Sequence, residues 1–178
     1  MKKTFTTKQL VTTALLLALC IIFQSLKSLS VYLTGSAVNC ILIIATLYCG
    51  ILSGTFIALA TPVVAYFMGA TPIMNMIPLM MPIIMLGNEL IVLFAWLFRK
   101  KFLPIGLTIG CITKAAFLWL TVWYAVLPIF GANLKAPMIN VVKTNFSLTQ
   151  LITACIGSTI AWIIYKKGIR FYENIGNR

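Results

Sequence analysis

The chain has 178 residues, of which 61% are hydrophobic and 9% are charged, and its mean hydropathy is +1.04. An ordinary soluble domain is about 45–50% apolar and about 25% charged, so this composition indicates an integral membrane protein. The chain has no histidine and only two acidic residues, Glu89 and Glu173, which excludes a carboxylate-bound Mg²⁺ site, a histidine-containing zinc site and a Ser-His-Asp triad.

The apolar segments predict an all-α protein, a bundle of six transmembrane helices formed by one domain over residues 1–178. A transmembrane helix needs about 20 residues, so six helices leave no room for a soluble domain. The six predicted helices are 10–29, 38–52, 55–68, 76–98, 104–127 and 144–165. The segments 30–37 and 128–143 are predicted to be loops. The first helix exceeds a signal-peptide h-region and lacks a clear cleavage site, so we expect it to be retained.

The basic residues are distributed unevenly between the two sides of this bundle. An even number of helices places both termini on the same side, and ten of the 14 Lys and Arg residues lie there: Lys2, Lys3, Lys8, Arg99, Lys100, Lys101, Lys166, Lys167, Arg170 and Arg178. The other side has Lys27, Lys135 and Lys143. The positive-inside rule therefore predicts cytoplasmic termini. Contact of these basic residues with lipid headgroups accounts for most of the net charge of +12 without a nucleic acid partner.

The cysteines predict neither a metal site nor a cofactor site. All of them lie in apolar segments, and no pair has the spacing of metal ligands: Cys20, Cys40, Cys49, Cys111 and Cys155. We therefore expect them to be small packing residues.

Two charged residues lie inside predicted helices. Glu89 lies 10 residues before Arg99, and Lys114 lies 10 residues after Pro104, so consecutive antiparallel helices place both at about the same depth. A single charge is costly in lipid, so the two are predicted to pair. The pair is interpreted either as a structural ion pair or as a contact for a ligand or an ion, in which Asn88 would also take part.

Aromatic and amide side chains are concentrated near the predicted outer end. Trp119 and Trp123 share one helix face, and Tyr124 is turned by about 100° from Trp123. They form either an interfacial aromatic belt or a stacking wall for a flat heterocycle. With Asn75 and Asn145 they form a candidate binding site, over which the loop 30–37 would act as a lid. Helix geometry implies that at least one of the aromatic residues faces lipid instead.

Ala14 and Ala18 form an A-x-x-x-A ridge in the first helix, which permits close approach of another helix. The opening KQLVTTALLLAL at residues 8–19, the GILSGTF segment at residues 50–56 and the six short helices are together similar to the substrate-binding S component of an energy-coupling factor (ECF) transporter. The resemblance implies a non-enzymatic subunit of a bacterial or archaeal cell membrane that binds a water-soluble micronutrient, a vitamin or a related heterocycle.

The resemblance also implies partners and a location for the ligand. The partners are a transmembrane T component, which would contact Ala14 and Ala18, and two ABC-type ATPases. The ligand pocket would lie toward the extracellular side, below the connection between the first two helices. Two alternatives stay open on the residues alone: a self-sufficient small carrier or channel, and a small membrane enzyme or assembly factor.

Overall fold

The computed structural model describes residues 6–26, 30–69 and 72–176, and every regular element in these ranges is helical. The helices are α1 Thr7–Ser25, α2 Val31–Cys49, α3 Ile51–Phe67, α4 Pro72–Met76, α5 Met80–Leu97, α6 Leu103–Thr121, α7 Leu127–Phe130, α8 Ala136–Asn145 and α9 Leu148–Gly176. A π-helical turn, Val122–Val126, joins α6 to α7, and a 3-10 turn, Gly131–Asn133, follows α7.

The fold is an all-helical membrane bundle, as the sequence predicts. Within the described ranges, five helical segments are long and apolar enough to cross a membrane, and α3 is a shorter apolar helix. These six segments account for the six predicted crossings. Some of the basic residues used to predict the orientation lie outside the residues that the structure describes: Lys2, Lys3, Lys27 and Arg178.

Side-chain hydrogen bonds show how the helices are oriented. Gln9 near the start of α1 donates to the backbone oxygen of Cys49 at the end of α2, at 3.1 Å. Thr34 near the start of α2 donates to the backbone oxygen of Phe23 near the end of α1, at 3.2 Å. Helices α1 and α2 are therefore antiparallel. We call the end that contains Thr6 and Gly50 the terminal end, and the end that contains Ser30 the opposite end.

Local sequence explains where the first helices begin. Thr6 accepts a hydrogen bond from the Gln9 backbone N–H, and the Gln9 side chain accepts one from the Thr6 backbone N–H, which forms a capping box. Gly50 has φ +100° between α2 and α3, a conformation that only glycine adopts readily. The chain can therefore reverse direction in a single residue at the terminal end.

Helices α2 and α9 run parallel through the centre of the bundle. Gly35 of α2 lies against Thr153, and Gly157 of α9 lies against the backbone of Ser36 and Cys40. Small residues at these positions let the two backbones approach closely. This contact fixes the inner face of α2, which carries polar side chains of the cavity described below.

Two predicted loops are in fact largely helical, and the prediction that 30–37 is a lid loop is wrong. Helix α2 begins at Val31, and α7, the 3-10 turn and α8 together occupy most of the segment 128–143. The polar residues that suggested a loop face the protein interior: Thr34 and Ser36 are buried. The predicted fourth helix, 76–98, begins later in the structure, because α4 ends at Met76 and α5 begins at Met80.

Candidate functional site

A cavity of about 110 Å³ lies near the opposite end of the bundle, between α1, α2, α3, α4, α5, α8 and α9. Amide and hydroxyl side chains line it together with apolar ones. Its polar lining residues are Gln24, Thr34, Asn39, Thr61, Asn88, Asn145, Gln150 and Thr153. Its apolar lining residues include Val38, Ala65, Ile73, Met74, Ile84 and Phe146. A few directed polar groups in a mostly apolar concave wall are typical of small-molecule sites.

Lys114 lies directly behind the wall of this cavity. Its side chain is 3% exposed, and Nζ donates to Oδ1 of Asn39 at 2.5 Å and to Oδ1 of Asn88 at 2.9 Å. Because both asparagines line the cavity, these two hydrogen bonds connect the buried lysine to the ligand-facing surface. The bonds also fix the orientation of both amides, since a lysine Nζ–H can only bond to their oxygens.

The prediction that Lys114 pairs with Glu89 is wrong in this structure. Oε2 of Glu89 accepts a hydrogen bond from Oγ1 of Thr55 at 3.0 Å, toward α3. Successive residues of a helix point about 100° apart, so Asn88 and Glu89 do not both point toward Lys114. Asn88 occupies the inward position, and Glu89 lies in a separate, mainly apolar crevice with Ile51 and Phe117.

Gln24 forms the cavity wall on the side of α1. Its Nε2 donates to the backbone oxygen of Thr61 at 3.0 Å. Its Oε1 is buried and has no hydrogen-bond partner among the described residues. A buried carbonyl oxygen without a partner is destabilising, so this atom is available to accept a hydrogen bond from a bound molecule.

Of the predicted site residues, the structure places two at this cavity. Asn145, at the end of α8, lines it directly, and Lys114 contacts it through Asn39 and Asn88. Asn75 is exposed and does not line the cavity.

The three predicted aromatic residues lie on the outward face of α6 and the π turn, away from the cavity. Trp119 and Trp123 are each 41% exposed with ring centroids 6.2 Å apart, and Tyr124 is 75% exposed. The inward face is formed by Lys114, Leu118 and Val122, which are buried and follow each other at i, i+4 spacing. The tryptophans each lie one residue further along and are therefore turned away from the interior.

The sequence prediction left several cavity residues out of the site. Gln24 and Asn39 are not among the predicted site residues, and Asn88 enters only as part of the ligand alternative for Glu89 and Lys114, although all three line the cavity. Polar residues inside membrane segments tend to face the bundle interior and to mark ligand pathways. That signal was present in the sequence, but no local pattern indicated that these three residues, on three different helices, would meet.

Ala14 and Ala18 lie on the exposed face of α1. Their neighbours on this face are also exposed and apolar: Leu10, Val11, Leu15, Leu19 and Ile22. The inward face of α1 carries Thr13, Cys20 and Gln24. The alanine ridge therefore packs against no other helix of the described chain, and a surface of small residues is open to lipid or to a partner.

The sequence matches a protein-family model over residues 8–172, described as the substrate-specific component of ECF transporters. No curated protein and no solved structure matches the chain.

Proposed function

Because the chain belongs to the family of ECF transporter substrate-specific components, we propose that it captures a small water-soluble micronutrient, a vitamin or a related heterocycle, for an ATP-driven importer. The observation that carries this proposal is the cavity at the opposite end, where amides from several helices converge in a mainly apolar wall. Amides both donate and accept hydrogen bonds, which suits the mixed polar edge of a heterocycle.

The energy for transport would come from partners. The chain contains no G-x-x-x-x-G-K-[ST] phosphate-binding loop, so ATP hydrolysis would be supplied by two ABC-type ATPases. A transmembrane T component would connect them to this subunit. The exposed ridge of Ala14 and Ala18 is the surface we assign to that component, because small residues allow close helix packing in a membrane. The proposed location is the cell membrane of a bacterium or archaeon.

The function is tested by identifying the small molecules that the protein retains. The chain is purified in detergent, denatured, and the released compounds are analysed by mass spectrometry against a mock purification. We expect one compound to be enriched, and Asn145→Ala to retain at least about fivefold less of it. Trp119→Ala, Trp123→Ala, Tyr124→Ala and Asn75→Ala should retain it as the wild type does, because these side chains lie outside the cavity.

Two results would count against the proposal. One is that no compound is enriched over the mock purification at any growth condition in which the transporter is needed. The other is that Asn145→Ala retains the compound fully while an outward-facing aromatic variant loses it. Co-purification of the T component and ATPases distinguishes the importer subunit from a self-sufficient carrier.

A further inference from the structure

The charge of Lys114 has no counter-charge in the part of the chain that the structure describes. The ammonium is 97% buried, since its residue is 3% exposed, and it bonds to two neutral amide oxygens. A buried charge without an opposite charge is strongly unfavourable in protein and in lipid. An ionisable residue inside a membrane segment marks a substrate or ion pathway, and an anionic ligand would supply the missing charge.

Neither acidic residue of the chain is placed to balance Lys114. Glu89 is bonded to Thr55 in a different crevice. Glu173 lies 16 residues after Gly157, the residue of α9 that packs beside Asn39. At 1.5 Å per residue this separation is roughly 24 Å along the helix. Among the side chains that the structure describes, none supplies a negative charge beside Lys114, so the cavity wall near this residue is positively charged.

The hydrogen bonds of Lys114 also determine which asparagine atoms a ligand meets. Oδ1 of Asn39 and of Asn88 both accept from Nζ. Nδ2 of Asn88 donates to the backbone oxygen of Ala58 at 3.4 Å. Nδ2 of Asn39 has no acceptor among the residues described and belongs to a residue that lines the cavity. At this wall the ligand finds an N–H donor supported by a positive charge.

The part of the cavity wall that α1 forms offers the complementary group. Oε1 of Gln24, a residue that is 95% buried, is an acceptor without a donor in the described ranges. The cavity therefore presents a donor with positive charge on the α2 side and an unpaired acceptor on the α1 side. A cavity of about 110 Å³ is smaller than the roughly 150 Å³ cavity that holds one benzene ring, which limits the bound part of a ligand to one small ring.

We infer that the captured ligand is a single-ring organic acid. Its carboxylate accepts the Asn39 N–H and balances the charge of Lys114, and an N–H or O–H of the ring donates to Oε1 of Gln24. The inference rests on the proposed function, since it names the chemical class of the molecule bound in the same cavity. Lys114 acts here as a specificity-determining residue, because it distinguishes an acid from its neutral amide.

The test uses matched acid and amide probes on the purified wild-type protein. The pairs are benzoate with benzamide, pyridine-3-carboxylate with pyridine-3-carboxamide, and a uracil carboxylate with its carboxamide, measured by thermal shift and by equilibrium binding. We expect at least one acid to bind at least tenfold more tightly than its amide. The inference is overturned if no acid binds, or if acid and amide bind equally.

Variants then assign the discrimination to Lys114. Lys114→Gln keeps an N–H donor for the asparagine oxygens but removes the charge, so it should reduce the preference for acid over amide to about twofold or less. Lys135→Met is the matched control, because it removes a lysine charge from an exposed position outside the cavity, and it should leave the preference unchanged. If Lys114→Gln keeps the full preference, the inference is wrong.

The outcome separates this inference from the proposed function. If the compound released from the purified protein is neutral and is lost in Asn145→Ala, the capture function stands and the organic-acid assignment fails. If nothing is retained or bound, both fail.

Discussion

Gly157 is a residue at which α9 packs closely against the backbone of α2. A Cβ added there would lie within 3 Å of the backbone oxygen of Ser36, the Cβ of Asn39 and the backbone nitrogen of Cys40. Two of these three atoms belong to the backbone, which cannot turn aside as a long side chain can. Since Asn39 is also part of the cavity wall, the absence of a side chain at Gly157 helps to set the position of a ligand-facing amide.

Gly157→Ala should therefore affect both stability and binding. Overpacking typically destabilises by roughly 1–3 kcal/mol, and the displaced Asn39 should weaken ligand binding. The free energy of unfolding in mixed micelles and the affinity for the retained compound are the measurements.

Gly131→Ala is the matched control for this substitution. Gly131 has helical backbone angles, φ −62° and ψ −32°, and an added Cβ would have its nearest neighbour, Cβ of Leu127, at 4.0 Å. We expect it to be neutral or slightly stabilising. Equal effects of the two substitutions would show that the α2–α9 contact is less tight than described.

Lys114 and Glu89 belong to separate hydrogen-bond networks. Lys114 bonds to Asn39 and Asn88, whereas Glu89 bonds to Thr55. Substitutions at residues that contact each other show coupling energies of about 0.5–3 kcal/mol, and residues without shared partners show much smaller ones. The structure therefore predicts that the losses in stability on substitution of Lys114 and Glu89 are independent. If the two formed an ion pair, the double substitution would recover part of the loss.

A double-mutant cycle tests this independence. The losses in unfolding free energy for Glu89→Gln and Lys114→Met should add in the double variant. The matched comparison is Lys114→Met with Asn88→Ala, which share a direct hydrogen bond and should be clearly non-additive. Recovery of stability in the Glu89→Gln, Lys114→Met protein would contradict the observed partners and restore the ion pair.

The sequence predicts the number of apolar helices that cross the membrane, but it misplaces the start of α2 and omits α8. Thr34, Gly35 and Ser36 resemble a turn by composition, yet they face the interior of a helix, where Thr34 bonds to the backbone of α1. Hydropathy measures polarity and not the direction in which a side chain points. A polar helix face that lines a cavity therefore looks the same as a loop.

Because hydropathy does not give the direction of a side chain, the sequence predicts only part of the candidate site. Asn145 could be predicted because it belongs to a cluster of polar residues near the predicted outer end. Gln24 and Asn39 are isolated in the sequence, and they meet only because α1 and α2 are antiparallel and α9 holds α2 in place. Contacts between distant segments depend on packing angles and rotations that periodicity does not determine. Trp119 and Trp123 illustrate the error, since a rotation of about 100° separates the inner face of α6 from the outer one.

Helix α1 presents the surface that we assign to the T component. Ala14→Trp or Ala18→Trp should prevent close approach of that partner, because an indole cannot fit where two helix backbones meet. Co-purification of the T component and ATP-dependent uptake should both be lost. Ligand binding by the isolated subunit should be unchanged, because both alanines are exposed and neither lines the cavity.

Leu59→Trp provides the control for a bulky residue on a membrane-facing surface. Leu59 is 41% exposed on α3, and the substitution should leave the assembly intact. If the alanine variants assemble as well as the control, the partner surface lies elsewhere on the bundle.

The two ends of the bundle differ in charge and in architecture. Basic residues lie over aromatic rings at both: Arg99 over Trp96 and Lys166 over Trp162 at the terminal end, and Lys143 over Trp123 at the opposite end. Such pairs are suited to the membrane interface, where an aromatic ring and a cation can both be accommodated. The terminal end is richer in basic residues, and the cavity lies near the other end.

The predicted orientation has the terminal end in the cytoplasm and the cavity on the outer side. Cysteine accessibility tests it. In a Cys155→Ser background, Lys135→Cys should react with a membrane-impermeant maleimide in intact cells, whereas Lys100→Cys should react only after permeabilisation. Cys155 is replaced because it is the exposed cysteine, while Cys20, Cys40, Cys49 and Cys111 are buried. The opposite labelling pattern would reverse the topology and place the cavity on the cytoplasmic side.

The depth of Lys114 has a consequence for the voltage dependence of capture. Lys114 lies 11 residues into α6 from Leu103, or about 16 Å, which is about half of a hydrocarbon core of about 30 Å. Moving one charge through the whole membrane field changes its energy by about 2.3 kcal/mol per 100 mV. An organic anion that reaches Lys114 from outside therefore moves against roughly half of an inside-negative potential. The affinity for the anion should therefore be several-fold higher in de-energised vesicles than in energised ones. The resting potential then lowers the occupancy of the site by weakly binding anions.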